Sequence, residues 1–80
     1  MDLAAEIRAE MARQEISGLD LARRIGMGRS TLNRKTGGES KITVPDLERI
    51  GAGLSVEPWE LMRRASEAAA HRHDQMKAAA

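Results

Sequence analysis

The sequence has 80 residues, no cysteine, a single tryptophan and a formal net charge of +1. This length limits the chain to one domain, and the lack of cysteine excludes disulfide bonds and thiolate metal sites. No apolar run approaches the ~18 residues of a membrane span, and the N-terminus lacks the apolar segment of a signal peptide. We therefore expect a soluble, intracellular protein that does not enter a membrane.

The first two predicted helices begin at capping residues. Asp2 can cap the first helix, which should end near residues 14–15. Its apolar residues recur at every fourth position and are Leu3, Ile7 and Met11. The second helix opens with Ser17-x-x-Asp20, which resembles a capping box, and Gly26 is suited to end it in a left-handed conformation. The residues predicted to be buried on this helix are Leu21, Ala22 and Ile25.

The third predicted helix is RSTLNRKTGG, residues 29–38, and it contains one large apolar side chain, Leu32. Gly28 can serve as its N-cap, and Gly37 and Gly38 end it. A helix that packs into a core normally carries a full apolar stripe. A helix with so much charge and so little apolar surface is expected to face a charged partner.

The fourth predicted helix starts at Thr43-x-x-Asp46, a second capping pattern. Its predicted buried stripe consists of Val44, Leu47, Ile50 and Leu54. Gly51 and Gly53 lie within the helix, where each glycine costs about 1 kcal/mol relative to alanine. We expect that these glycines allow a neighbouring segment to approach closely.

The fifth predicted helix starts at Glu57-Pro58, with proline at the first helical position. Val56 and Leu61 are spaced for a hydrophobic staple. The side chains predicted to continue the core are Trp59 and Met62. The apolar signal fades after residue 65, so we assign residues 1–65 to the domain and residues 66–80 to an extension of the last helix or a flexible tail.

The positive charge is concentrated in one block. Residues 23–41 carry a net charge of +5, whereas residues 1–22 carry −3 and residues 42–80 carry −1. Such a block is what a polyanionic partner would meet. The alternative interpretation is a solvated helix face without a partner.

The second and third helices meet the physical requirements of a helix-turn-helix. Ala22 is small enough for the two helices to cross closely, and Gly26 permits positive φ in the turn. Ile25 and Leu32 supply the apolar contact between the helices. This spacing predicts a DNA-binding unit.

The stretches LDLARRIGMGRSTLNRKTGG and ITVPDLERIGAGLSVEPWELM resemble the lambda repressor and Cro-type (XRE-like) helix-turn-helix family, from about Ile16 to Met62. The resemblance implies a compact all-α domain of five helices whose third helix, residues 29–36, enters the DNA major groove. The chain departs from the family pattern at Gly18, where glutamine is common, and at Lys35, where an apolar residue is common.

Helical geometry selects the candidate base-contacting residues. With Leu32 pointing inward, a rotation of ~100° per residue directs one set of side chains outward or to the flank. These side chains are Ser30 and Arg34, nearly opposite Leu32, and Asn33 on the flank. Arg29 is a further candidate because it lies at the N-terminal end of the helix, the end that penetrates the groove. The candidate phosphate-contacting residues at the edges of this helix are Arg23, Arg24, Lys35, Lys41 and Thr43. For each arginine, the alternative to a base contact is a phosphate contact or exposure to solvent without a partner.

Other chemistries find little support in the sequence. His71 and His73 are the only histidines, and positions i and i+2 face apart on a helix, so we expect no metal site, no cofactor and no enzymatic activity. We expect a transcriptional regulator of Cro or repressor type that binds double-stranded DNA in the cytoplasm of a bacterium or phage-infected host, without a small-molecule effector. The alternative is an antitoxin or protein-interaction adaptor with the same fold.

The end of the chain suggests self-association. Apolar and small residues recur there at spacings of three and four, which predicts a weak heptad seam and a possible homodimer. The seam consists of Trp59, Met62, Ser66, Ala69, His73 and Met76. The competing interpretation is a last helix that frays into a tail.

Overall fold

The computed structural model describes the backbone of residues 2–79 and the side chains of residues 2–71. Its described part is entirely helical, which confirms the predicted all-α class with an extended last helix. The helices are α1 (Leu3–Gln14), α2 (Gly18–Ile25), α3 (Arg29–Thr36), α4 (Val44–Leu54) and α5 (Pro58–Ala79). None of the described helices is both long and apolar enough to cross a membrane.

The predicted caps determine where the helices begin. The side chains of Asp2, Ser17 and Thr43 each accept a hydrogen bond from the backbone N–H three residues later. The reciprocal capping box forms at α4, where the Asp46 carboxylate also accepts the N–H of Thr43 at 3.0 Å. Gly26 ends α2 with φ of 66°, as predicted. These local hydrogen bonds explain why the sequence pattern located the helix starts correctly.

One apolar core joins all five helices. Its buried members are Ile7, Leu21, Ala22, Leu32, Leu47, Ile50, Leu54 and Leu61. Leu32 is fully buried and is the only large apolar side chain on α3. The position of the third helix therefore depends on a single deep apolar anchor.

The two glycines within α4 allow close packing, as predicted. A Cβ on Gly53 would lie 2.5 Å from Cγ2 of Ile25 and 2.7 Å from Cδ1 of Leu21, both on α2. A Cβ on Gly51 would lie 2.6 Å from the carbonyl oxygen of Val56 in the connection to α5. Neither backbone nor packed side chains can move aside easily, so α2 rests directly on the α4 backbone.

A polar network attaches α5 to α1. The Glu10 carboxylate, whose residue is 7% exposed, pairs with Arg64 of α5 and Arg13 of α1, both at 2.5 Å. Gln14 donates hydrogen bonds to Glu10 and to the carbonyl oxygen of Leu54 at the end of α4. The hydrogen bond from Gln14 and those from the two guanidinium groups outweigh burial and lower the pKa of Glu10. The network holds the start of α5 against the body of the domain.

Three side chains predicted to be buried are exposed. Val44 is 70% exposed, Trp59 62% and Met62 42%. Val44 lies in the first turn of α4, and Ile42, two residues earlier, packs against the core instead. On α5 the inward positions are Leu61 and Ala65, which are one helical turn apart.

A rotation of ~100° per residue then turns Trp59 and Met62 away from the core. The prediction that they continue the core was wrong. The exposed side of α5 also contains Ser66, whereas the predicted seam positions His73 and Met76 lie outside the residues whose side chains are described. The backbone of α5 continues to Ala79, as expected for an extended helix rather than a tail.

Candidate nucleic-acid interface

The turn between α2 and α3 is held by hydrogen bonds from its own backbone and from a side chain of α4. Gly26 donates its N–H to the carbonyl oxygen of Ala22, which completes the end of α2. Arg49, which extends from α4, donates to the carbonyl oxygens of Ile25 at 2.6 Å and Gly26 at 3.0 Å. These bonds satisfy carbonyl groups that the end of a helix leaves free. The angle between the two helices is thereby fixed by a third helix.

The predicted base-contacting side chains of α3 are all exposed. Leu32 and Thr36 are buried, so the opposite face points to solvent. Ser30 and Arg34 are exposed on that face, Asn33 is exposed on its flank, and Arg29 is exposed at the N-terminal end of the helix. Within the described side chains, Arg29 and Arg34 form no ion pair with an acidic group. The structure therefore brings these candidates together on one accessible surface.

The C-terminal end of α3 is held by contacts from two other helices. Arg8 of α1 donates a hydrogen bond to the carbonyl oxygen of Thr36. The ammonium of Lys35 donates to Oδ2 of Asp46 at 2.8 Å and to the carbonyl oxygen of Lys41 at 3.2 Å. At the position where an apolar residue is common in the family that the sequence resembles, Lys35 forms an ion pair with Asp46 of α4. The side chain of Lys35 is only 15% exposed.

The predicted phosphate contacts divide into two groups. The first remains accessible, since Arg23, Arg24 and Lys41 are exposed and Arg24 makes only a 3.3 Å hydrogen bond to the carbonyl oxygen of Gly53. The second is engaged within the domain. The ammonium of Lys35 is paired with Asp46, and two of its three N–H groups donate within the domain.

Thr43 also belongs to the engaged group. Its hydroxyl and its N–H both take part in the capping box, and the next but one residue, Pro45, has no N–H to offer. The start of α4 therefore lacks the row of free N–H groups that binds an anion. Lys35 and Thr43 therefore make hydrogen bonds within the domain, and their contact with a phosphate stays a prediction.

Comparison with known proteins agrees with this geometry. The family model of the Cro/C1-type HTH DNA-binding domain matches residues 6–67. The chain belongs to this family. No curated protein and no solved structure was found to match the chain. The α2–α3 pair of this Cro/C1-type domain is accordingly its DNA-binding helix-turn-helix, and the family is typically non-enzymatic.

The ion pair at the end of α3 changes the acidity of its carboxylate. Hydrogen bonds from the Lys35 ammonium, and from the N–H and hydroxyl of Thr43, lower the pKa of Asp46 to about 2 from an ordinary value of 3.8. One carboxylate therefore serves both the cap of α4 and the attachment of α3. This second role was not predicted from the Thr43-x-x-Asp46 pattern.

The Cro/C1-type domain is expected to lose stability in acid through this carboxylate. A lowered folded-state pKa stabilises the fold above the unfolded value near 3.8, and the contribution disappears as the pH falls through about 2. We expect Lys35→Met to reduce the unfolding free energy by about 1–2 kcal/mol at pH 7. The variant should also show a shallower pH dependence between pH 4 and 2, measured by urea unfolding.

Lys41→Met is the matched control because it removes the same charge from an exposed side chain. Its pH dependence should follow the wild type, since only the backbone carbonyl of Lys41 contacts Lys35. An unchanged slope between pH 4 and 2 in Lys35→Met would show that the ion pair contributes nothing to the folded state.

Contacts between distant residues were the ones that the sequence did not reveal. Arg8 reaches Thr36 across 28 positions, and Arg49 reaches Ile25 across 24. Neither contact follows a helical period, so no local pattern identifies it. Arg49 lies outside the basic block of residues 23–41, so the charge pattern gave no reason to expect its hydrogen bonds to the turn between α2 and α3.

Proposed function

We propose that this protein is a sequence-specific regulator of transcription, of Cro or repressor type, that places α3 in the major groove of double-stranded DNA. The observation that carries the proposal is the exposed polar and cationic face of α3, which is held in place by Leu32 inside the core. A helix fits the major groove of B-DNA, where each base pair presents a distinct pattern of donors and acceptors. A cytoplasmic location in a bacterium or an infected host follows from this role.

Each proposed base contact has a chemical rationale. Arg29 and Arg34 carry guanidinium groups that can bind O6 and N7 of guanine with two hydrogen bonds. Asn33 can bind the N6 and N7 edge of adenine in the same manner, and Ser30 can donate to or accept from several bases. Contacts to phosphates then come from the exposed side chains of Arg23, Arg24 and Lys41, which orient the helix without selecting a sequence.

A homodimer is part of this proposal. Trp59 and Met62 are exposed apolar side chains on α5, and the backbone of this 22-residue helix continues to Ala79, well beyond the core contact at Ala65. A second copy packed along this helix would present two recognition helices to half-sites one helical turn apart, ~34–36 Å. The same exposed residues favour the alternative function, in which a different protein binds α5 and the domain acts as an antitoxin or adaptor.

Binding-site selection on random duplex DNA tests the function, with Arg34→Ala as the diagnostic variant. The wild type should enrich one motif. Arg34→Ala should weaken binding to that motif by about 1–3 kcal/mol and relax the preference at one base pair, while non-specific binding changes little. Equal losses on selected and random duplexes would instead make Arg34 a phosphate contact.

The control variant is Arg63→Ala, which removes the same side chain from α5, where it pairs with Glu60 and Glu67. It should select the wild-type motif with wild-type affinity. A motif of two half-sites supports the dimer, and a single half-site bound by one chain contradicts it. Failure of the wild type to enrich any motif would reject sequence-specific recognition and favour the protein-binding alternative.

A further inference from the structure

The amide group of Asn33 occupies the space beside Gly18, the first residue of α2. A Cβ on Gly18 would lie 2.9 Å from Oδ1 of Asn33, which is closer than real carbon–oxygen contacts of this kind. Every residue other than glycine carries such a Cβ. The present position of the Asn33 side chain therefore depends on the absence of a side chain at position 18.

The two partners in this contact differ in rigidity. Gly18 follows the N-cap Ser17, whose hydroxyl accepts the N–H of Asp20 at 3.1 Å and whose carbonyl oxygen accepts the N–H of Leu21 at 3.0 Å. Asn33 is exposed and ends in an amide that rotates about its side-chain bonds. A methyl group added at position 18 would consequently displace the amide and leave the backbone of α2 in place.

We propose that Gly18 is a positioning residue that determines specificity, because its missing side chain sets the orientation in which Asn33 meets a base. The inference rests on the proposed function, since it concerns a base-contacting residue of α3. Bidentate binding of an adenine edge requires the oxygen and the nitrogen of the amide to lie together in the plane of the base. A displaced amide forms at most one of these two bonds.

This arrangement gives α2 control over sequence preference without a contact of its own to a base. Asn33 is exposed, and within the described residues no hydrogen bond fixes its amide. The space beside Gly18 is therefore what allows the amide its present position. Filling that space should change the preferred base at one position of the motif and leave the other positions unchanged.

The test compares Gly18→Ala, Asn33→Ala and the double variant by selection on random duplex DNA and by titration of the selected duplex. Asn33→Ala should lower the preference at one base pair roughly 5- to 150-fold. Gly18→Ala should lower or alter the preference at the same base pair, by at least about fivefold. In the double variant, the alanine at position 18 should add no further change, because the amide that it displaces is absent.

Gly28→Ala is the matched control. It adds a methyl group at the start of α3, where the nearest atom to the new Cβ is Oγ1 of Thr31 at an ordinary 3.6 Å. Its base preference should remain that of the wild type. Thermal melting accompanies each variant, and Gly18→Ala should melt no lower than the wild type, because alanine is the better helix former.

Three results would overturn the proposal while leaving the proposed function intact. The first is a wild-type motif selected with unchanged preference by Gly18→Ala. The second is a uniform loss on all duplexes together with a lower melting temperature, which would make the role of Gly18 structural. The third is an equal effect of Gly18→Ala with and without Asn33. If the wild type itself selects no motif, the proposed function fails first.

Discussion

Leu32→Ala is expected to unfold much of the population and so abolish DNA binding. Leu32 is fully buried and is the only large apolar side chain that anchors α3 in the core. Truncation of a buried leucine to alanine costs about 2–5 kcal/mol. An 80-residue domain buries only about 60% of the surface of its unfolded chain, so the loss removes a large share of its stability.

Thermal melting followed by circular dichroism measures this effect. The melting temperature should fall by roughly 8–40 °C, since 1 kcal/mol corresponds to about 4–8 °C in a domain of this size. Val44→Ala is the control, because it truncates an apolar side chain that is 70% exposed and should melt close to the wild type. If Leu32→Ala melts like the wild type but does not bind, the residue contacts DNA and does not anchor the helix.

The affinity for the selected duplex is expected to fall roughly 40- to 60-fold between 50 and 200 mM salt. Each neutralised phosphate releases condensed counterions, which gives a log–log slope of about −0.9 per phosphate. Lys35 is paired with Asp46 within the domain. The exposed cations that remain in the basic block are Arg23, Arg24, Arg29, Arg34 and Lys41. Arg29 and Arg34 are assigned to bases, so a slope of about −3 follows if the other three each neutralise one phosphate.

Lys41→Gln and Arg63→Gln separate the interface from general charge. Both remove one positive charge from an exposed residue. Lys41→Gln should reduce the slope by about 1, because it deletes one phosphate contact. Arg63→Gln should leave the slope unchanged, because Arg63 lies on α5 and pairs with Glu60 and Glu67. A flat salt response of the wild type would favour a protein partner over DNA.

The helix boundaries were predictable because local interactions determine them. Ser17 and Thr43 bond to N–H groups three residues away, and Gly26 adopts a left-handed conformation that most other residues disfavour. Such effects act within a few positions of the chain. The side chains of α3 that face solvent were also predictable, because a helix with one large apolar residue has only one face that can pack into the core.

Side chains on helices with several apolar residues were assigned less well. On α5 the sequence contains Trp59, Leu61 and Met62 within four positions, and helical geometry cannot turn all three inward. The structure selects Leu61, which reaches the core together with Ala65. The choice depends on where α1 and α4 lie, and that information is spread over the whole chain.

The sequence by itself determined the five helices, the helix-turn-helix at α2 and α3, and the outward position of Arg29, Asn33 and Arg34. Only the tertiary structure decided which cationic side chains are paired within the domain and which are left exposed. The ammonium of Lys35 pairs with Asp46 at 2.8 Å, and the side chain of Asn33 lies in the space that a Cβ at position 18 would need, because the fold brings together residues distant in the chain. Periodicity and capping act along the chain, whereas pairing and exclusion of side chains depend on how the helices pack against one another.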